Sequence, residues 1–487
     1  MASTAMRVAL PSQPTGPTDP AEPTDTTGPN HPSEPTGTAG PTEPVGHAER
    51  TAPRGTVATL SATPSVPIAV SPTLAANEVM TARKQRGEPV LPMAFGEAGL
   101  PAHPSLRLAL AEATGRTGYG PVAGQAVLRE AAAGYWQRRG LDTEPAAIVC
   151  GPGSKALLFG LMLAIGGDVA VPRPSWVSYA AQASLIGARP HFVDIRPGEG
   201  GVPDPDRLGD AVRAARAAGR ELRSVILTLP DNPTGTLAGP ATIRALCQVA
   251  DEHNLIIISD EIYRDLIHDE KEPFTSPAAI APGRTVVTTA LSKSLALGGW
   301  RIGVARLPGG EAARPLRQRL RDRLLGIGSE IWSAPAAPIQ QAAAYAFSDP
   351  LELTERITLS RRLHREVARA VARHFTAAGA NVPPPRGAFY LYPDFSPVRD
   401  RLQARHGVRT SDELATVLLQ RYGMGVLPGS AFGDDPRTLR LRVATALLYG
   451  ETDRQREAAL AAAAPAEVPW IAGALARIEE VLTGLAG

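Results

Sequence analysis

Ser224-Val-Ile-Leu-Thr228, Leu255-Ile-Ile-Ile258 and Thr285-Val-Val-Thr288 run apolar through positions where a half-exposed strand would alternate with polar residues. Strands without that alternation are buried on both faces, the condition of a mostly parallel sheet covered by helices. The segments around them fit the same scheme. Gln125 to Arg138, Gly153 to Ile165, Ser178 to Gly187, Pro205 to Ala218 and Ala241 to His253 read as helices, and Asp168-Val-Ala-Val171 and His191-Phe-Val-Asp194 as short strands. The chain is therefore expected to be α/β. On such sheets ligands bind at the carboxyl ends of strands, so polar residues just past the apolar runs are where chemistry is expected.

The pattern changes further along. Glu311 to Ala377 is long, Arg-rich and helical; Gly387 to Tyr392 and Leu439 to Val443 read as strands, and Asp412 to Tyr422 and Pro469 to Leu485 as helices. An Ala-rich stretch from Ala459, stopped by Pro465, reads as a local insertion. This is a second, smaller α+β unit. At the other end, ten of the first 50 residues are proline, mixed with Thr, Gly, Ser, Glu and Asp. With no apolar period and few backbone donors, residues 1–65 read as a disordered, locally extended tail. Order is expected from near Val66, with a short helix over Pro72 to Arg86.

Composition excludes several classes of function. The net charge is +2, so no strong field marks a nucleic-acid or acidic-membrane partner. The longest apolar run, Ala156 to Ile165, is too short to span a bilayer, and the first residues lack the apolar core of a signal peptide. The two cysteines, Cys150 and Cys247, form no CxxC and cannot build a disulfide framework, which favours a cytoplasmic chain. Only four of the 50 basic residues are lysine: Lys84, Lys155, Lys271 and Lys293. Arginine stays charged, so any mechanism that needs a deprotonatable amine must use one of those four or the N-terminus.

Each of the three apolar runs is followed by polar punctuation: Leu229-Pro-Asp-Asn232-Pro-Thr-Gly235, Ser259-Asp260-Glu-Ile-Tyr263, and Ser292-Lys293 with Gly-Gly-Trp-Arg301-Ile-Gly303 beyond. Alone, each has a structural reading: the aspartate as a helix N-cap, Asn-Pro-Thr-Gly as a turn, the lysine as a solvated side chain. Together and in this order they bring an amide, a carboxylate, a phenol and an amine to one rim of the sheet. That order resembles the class I/II aminotransferase family, aspartate aminotransferase-like members of the fold-type I pyridoxal 5'-phosphate (PLP) enzymes. The resemblance covers roughly residues 70 to 485 and also rests on Gly96-Glu97, Tyr119-Gly-Pro-Val-Ala-Gly124, Gly153-Ser-Lys155, Pro174-Ser-Trp176, Gly387-Ala-Phe-Tyr390, Pro428-Gly-Ser-Ala-Phe-Gly433 and Arg440-Leu-Arg-Val-Ala444.

The resemblance implies a large PLP-binding domain over residues 101–340 with a seven-stranded type of sheet. It also implies a small domain over 341–487 and an N-terminal arm over 66–100 that joins it. PLP is held through a Schiff base, which needs a lysine able to lose its proton. Lys84 lies in a solvated basic turn and Lys271 in a charged loop. Lys155 opens an apolar helix, and Lys293 follows a buried strand and holds the family position. Lys293 is thus the expected Schiff-base residue and the group that moves the substrate Cα proton. Asp260 is implied as the partner of the ring nitrogen, Asn232 and Tyr263 as partners of the ring's phenolic oxygen, and Trp176 as the ring-stacking aromatic. The phosphate is expected at Gly153, Ser154 and Lys155, where a helix begins, with Ser292 and Arg301. Tyr119 is implied to reach the phosphate of a neighbouring subunit, hence a homodimer with shared sites. Ala290 stands where the family usually has Ser or Gly, so one hydroxyl donor is expected to be missing.

The substrate α-carboxylate calls for arginine's planar fork. Arg440 occupies the family position, with Gly96 as the backbone closing over the same carboxylate; Arg442 is a candidate second contact to a carboxylate or phosphate. The expected reaction is amino transfer between an L-amino acid and a 2-oxo acid. Lys155 either grips the distal carboxylate of an acidic substrate or merely assists the phosphate. Another PLP reaction on the same scaffold, such as elimination, decarboxylation or oxidation, would use most of the same residues. A transcription regulator with an aminotransferase-like domain would need a winged helix ahead of it, and residues 1–65 have no helical period and few basic residues.

Overall fold

The computed structural model describes residues 72–486, so the Pro/Thr-rich segment 1–65 and the expected onset of order at Val66 lie outside the described residues. Eight strands make the main sheet: β1 (Ile148–Gly151), β2 (Asp168–Arg173), β3 (Pro190–Arg196), β4 (Glu199–Pro203), β5 (Leu222–Thr228), β6 (Ile256–Asp260), β7 (Thr285–Ala290) and β8 (Gly303–Arg306). Across the sheet they run β1-β8-β7-β6-β5-β2-β3-β4. Strands β7, β6, β5, β2 and β3 are mutually parallel. Strand β8 is antiparallel to both its neighbours, and β4 folds back antiparallel on β3. The seven-stranded sheet is thus extended by one edge strand. Gly198, with φ of 74°, permits the tight reversal that adds it.

The apolar runs are central strands, and their side chains divide between the two faces. Ile226, Ile258 and Val286 pack with Leu157, Leu161 and Leu324 from the helices Ser154–Ile165 and Arg314–Ile331. Val225, Leu227 and Ile257 pack on the other face with Leu208, Ile243 and Leu246 from Pro205–Ala217 and Pro240–Glu252. Each fully buried aliphatic side chain contributes roughly 1.5–3 kcal/mol. That burial is why these short sequences settle as strands although helices could also carry them. Strands β1 and β8 escape the sequence reading because each is a four-residue stretch with glycine at one end.

The second layer is carried by the 27-residue helix Leu351–Ala377, which packs against Pro469–Ala486 around Leu363, Val367, Phe375, Ile478 and Leu482. A small sheet of Tyr390–Leu391, Leu441–Ala444 and Leu427–Pro428 lies in the same unit. Leu91–Pro92 pairs in parallel with Met424–Gly425, which ties the chain ahead of the main sheet to this C-terminal unit. The Arg-rich region resolves into three helices, Arg314–Ile331, Ala337–Phe347 and Leu351–Ala377. Residues with positive φ, Ser333 and Asp349, mark its two breaks. The expected strand over Gly387 to Tyr392 is shorter, because Ala388 is left-handed with φ of 55° and its carbonyl bonds His268 Nε2 at 2.8 Å. Among the described residues no helix is long and apolar enough to cross a membrane.

Candidate active site

The carboxyl ends of the parallel strands open into one cavity of about 530 Å³. Strand β6 ends at Asp260, β5 leads into Asn232, β7 runs into the single helical turn Leu291–Ser294 that carries Lys293, and β2 leads through Pro174 to Trp176. Asn232, Asp260, Tyr263, Lys293, Trp176 and Gly96 all line it, as do Ser154, Lys155, Ser292 and Arg301. Residues as far apart in sequence as Gly96 and Arg301 meet in this cavity.

Lys293 Nζ donates to the Gly96 carbonyl at 2.5 Å. Burial, and then the positive charge of Arg442, pull its ammonium down to about 8, while Glu97 and Asp260 partly oppose the shift. Asp260 is 3% exposed and accepts from Thr288 Oγ1 at 3.1 Å and from Tyr179 Oη at 2.9 Å. Burial nonetheless pushes its carboxyl up to about 6, against those hydrogen bonds and the nearby Lys293. A carboxylate so desolvated gains most from a cationic partner placed in the cavity. Tyr179 and Thr288 were not anticipated. Tyr179 lies three residues after Trp176, on the first turn of Ser178–Leu185, and packs edge-on to its ring at 5.2 Å.

The helix start that borders the cavity is equally specific. The helix Ser154–Ile165 begins at Gly153, which has φ of 88° and no side-chain cap, so the first N–H groups of the helix have no intrahelical partner. A Cβ at Gly153 would stand 2.6 Å from Arg301 Nη2, so glycine is what lets the guanidinium approach the helix end. Lys155 Nζ lies 5.1 Å above the Trp176 ring, and burial together with Arg301 lowers its pKa. Ala290 is buried in the hydrophobic core and does not line the cavity.

Arg440, expected in the substrate site, lies outside this cavity, and Arg442, the candidate second contact, lines it. Arg440 sits just before the strand Leu441–Ala444 and pairs with Asp394 at 3.1 Å and Asp434 at 3.4 Å. It lines a separate cavity with Arg173 and Asp194, and not the one around Lys293. Arg442 is 1% exposed and does line the latter. Its Nη1 donates to Asn232 Oδ1 at 3.3 Å and its Nη2 to the Ala94 carbonyl, while Nε has no partner. The guanidinium lies 5.1 Å from the Tyr390 ring and 5.0 Å from the Phe432 ring, and among the described residues no carboxylate neutralises it. Two residues along a strand are separated by roughly 6.6 Å, enough to put the pair into different cavities although they share a face. The two aspartates then hold Arg440 outward. Tyr390, the last residue of Gly387-Ala-Phe-Tyr, was not singled out either; its hydroxyl shares a 2.8 Å hydrogen bond with that of Tyr263. Tyr119 stands apart, 96% exposed and away from the cavity of its own chain.

These groups fit one cofactor. A low-pKa amine answers an aldehyde, a buried carboxylate answers a ring nitrogen, and an uncapped helix start beside Arg301, with Ser292 in the same cavity, answers a phosphate. The class so defined is the PLP-dependent enzymes.

Residues 89–454 match the family described as aminotransferase class I and II. The chain is 31% identical over 368 residues to an aspartate/prephenate aminotransferase of Thermus thermophilus, covering 74% of this chain and 89% of the relative. It is 34% identical over 373 residues to the enzyme of the same name from Cereibacter sphaeroides, with 74% and 88% covered. Among solved structures, the aspartate aminotransferase of Thermus thermophilus with maleate superposes with a TM-score of 0.70 at 27% identity, covering 85% of this chain and 97% of that one. The aspartate aminotransferase of Rhizobium meliloti gives 0.71 at 25%, with 88% and 99% covered. This chain belongs to the class I and II aminotransferase family, and it is a PLP-dependent aminotransferase.

Proposed function

We propose that this aminotransferase works on acidic amino acids and their 2-oxo acids, with Arg442 as the reader of the α-carboxylate and Lys155 as the reader of a distal one. The observation that carries the reading is the buried, unneutralised guanidinium of Arg442 with its free Nε, in the same cavity as Lys155. A buried charge without a partner is costly, and a bound carboxylate removes that cost. The relatives are named for aspartate and prephenate, and one neighbouring structure holds maleate, a dicarboxylate.

Bound PLP supplies an electrophilic aldehyde carbon and a ring that draws off the electron pair left when Cα loses its proton. Lys293 would hold the cofactor covalently and then, freed by the incoming amine, carry the proton away from substrate Cα. A pKa of about 8 leaves a useful fraction of that amine neutral near neutral pH. Asp260 would keep a proton on the ring nitrogen, with Tyr179 and Thr288 fixing the carboxylate's orientation. Asn232 and Tyr263 would meet the ring's phenolic oxygen, and Trp176 would cover its face. Gly153, Ser154, Ser292 and Arg301 would bind the phosphate, and Gly96 would close over the α-carboxylate beside Arg442. Tyr119, exposed on its own chain, is suited to complete the site of a second subunit in a homodimer.

Steady-state kinetics of Lys155→Ala test the substrate assignment. KM for aspartate, glutamate and their oxo acids rises by roughly 10-fold or more, as expected for one lost charge-assisted bond, while KM for alanine moves little. An equal rise for all donors assigns Lys155 to the phosphate instead.

A further inference from the structure

Tyr390 lines the cavity and touches both Arg442 and Tyr263. Its hydroxyl lies 2.8 Å from that of Tyr263, its ring faces the Arg442 guanidinium at 5.1 Å, and both rings are buried. The backbone makes room for this hydroxyl. A Cβ at Gly96 would stand 2.4 Å from Tyr390 Oη, and Gly235, with φ of 70°, lets the Tyr390 carbonyl pass where a Cβ would come within 2.1 Å. The two tyrosines also pack edge-on with ring centroids 5.6 Å apart, so their relative orientation is set by packing as well as by the bond.

We propose that Tyr390 is a positioning residue for the cofactor: its hydroxyl donates to Tyr263, turns the Tyr263 proton toward the cofactor's phenolic oxygen, and links that oxygen to the carboxylate reader Arg442. This rests on the PLP and Tyr263 assignments above. The direction of donation follows from charge. Burial pushes both phenols up, Tyr263 well above its ordinary value, and the guanidinium beside the Tyr390 ring opposes that rise chiefly at Tyr390, so Tyr390 is the more acidic phenol of the pair and the better donor. A phenol that accepts such a bond becomes a stronger donor in turn. Tyr263 then competes more effectively for the electron density that the phenolic oxygen would lend to a proton on the lysine–cofactor nitrogen. That nitrogen is therefore easier to deprotonate while Tyr390 is in place. When a substrate carboxylate neutralises Arg442, Tyr390 loses acidity and the effect weakens, so the nitrogen regains basicity as substrate arrives. The other charged groups that act on Lys293 are Asp260, Glu97 and Arg301; Tyr390→Phe alters none of them.

The test is a pH titration of the visible absorbance of PLP-loaded enzyme, in wild type, Tyr390→Phe, Tyr263→Phe and the double variant. Tyr390→Phe raises the midpoint by about 0.5 pH unit or more, roughly a threefold change in the protonation equilibrium. In the Tyr263→Phe background the same substitution produces no further shift. A midpoint that is unchanged or moves down in Tyr390→Phe overturns the proposal, and so does a full shift in the absence of the Tyr263 hydroxyl. Failure of the underlying assignment shows differently: wild type would then have no visible band that Lys293→Ala abolishes. Far-ultraviolet circular dichroism and PLP content confirm that each variant is folded and loaded before its midpoint is read.

Discussion

Arg440 and Arg442 separate motif from geometry at the scale of single residues. Both lie in one short stretch, two positions apart, and only the surroundings distinguish them. Asp394 and Asp434 already neutralise Arg440, whereas Arg442 is buried over two aromatic rings with a free donor. Substituting Arg442→Lys keeps the charge but loses the fork, so kcat/KM is expected to fall roughly 100-fold for acidic and neutral amino acids alike. Arg440→Ala is expected to leave kcat/KM within about threefold of wild type while lowering the melting temperature, since it strands two carboxylates. Kinetics of the two variants with the same donor decide the matter: if Arg440→Ala is the one that loses two orders of magnitude, the motif position is right and the cavity reading is wrong. The aspartate at the end of β6 and the lysine after β7 needed no such arbitration. Each is the first titratable group past a run of buried residues, and the chain has few lysines to choose from.

Among the elements, legibility followed burial. The central strands were readable because both faces are covered and the sequence must be apolar throughout. The edge strand β4 and the four-residue strands β1 and β8 carry too few side chains to show a period. The helix Ser154–Ile165 was readable as a helix, but the phosphate role proposed for it rests on its first turn. There Gly153 combines φ of 88° with ψ of 159°, a backbone region that is essentially closed to other residues. Gly153→Ala therefore strains the turn by about 1–3 kcal/mol and displaces Arg301, so PLP affinity is expected to drop by roughly 5- to 150-fold. Fluorescence titration of the apo variant with PLP measures this, and an unchanged affinity would falsify the phosphate assignment. The Gly387 to Tyr392 segment failed as a six-residue strand for a tertiary reason: His268 holds the Ala388 carbonyl in a left-handed bend, which no local pattern announces.

For the whole molecule, the proposed homodimer has the sharpest consequence. Tyr119 is almost fully exposed and plays no part in the cavity of its own chain, so its expected contribution requires a second copy. Light scattering should give about twice 51.0 kDa for the holoenzyme, and Tyr119→Phe should weaken PLP retention without changing that mass. A monomeric holoenzyme with full PLP retention removes Tyr119 from the site. The sequence by itself determined the α/β class, the strand ends where polar residues gather, and the lysine, carboxylate and amide that the fold brings into one cavity. These are legible because a buried parallel strand leaves an apolar run and its end leaves an abrupt polar residue. Only the tertiary structure decided which of the two arginines lines that cavity, and that Tyr179 and Tyr390 line it too. Those outcomes depend on side chains from separate elements meeting across the cavity, where charge balance and shared hydrogen bonds, rather than local periodicity, assign each residue its place.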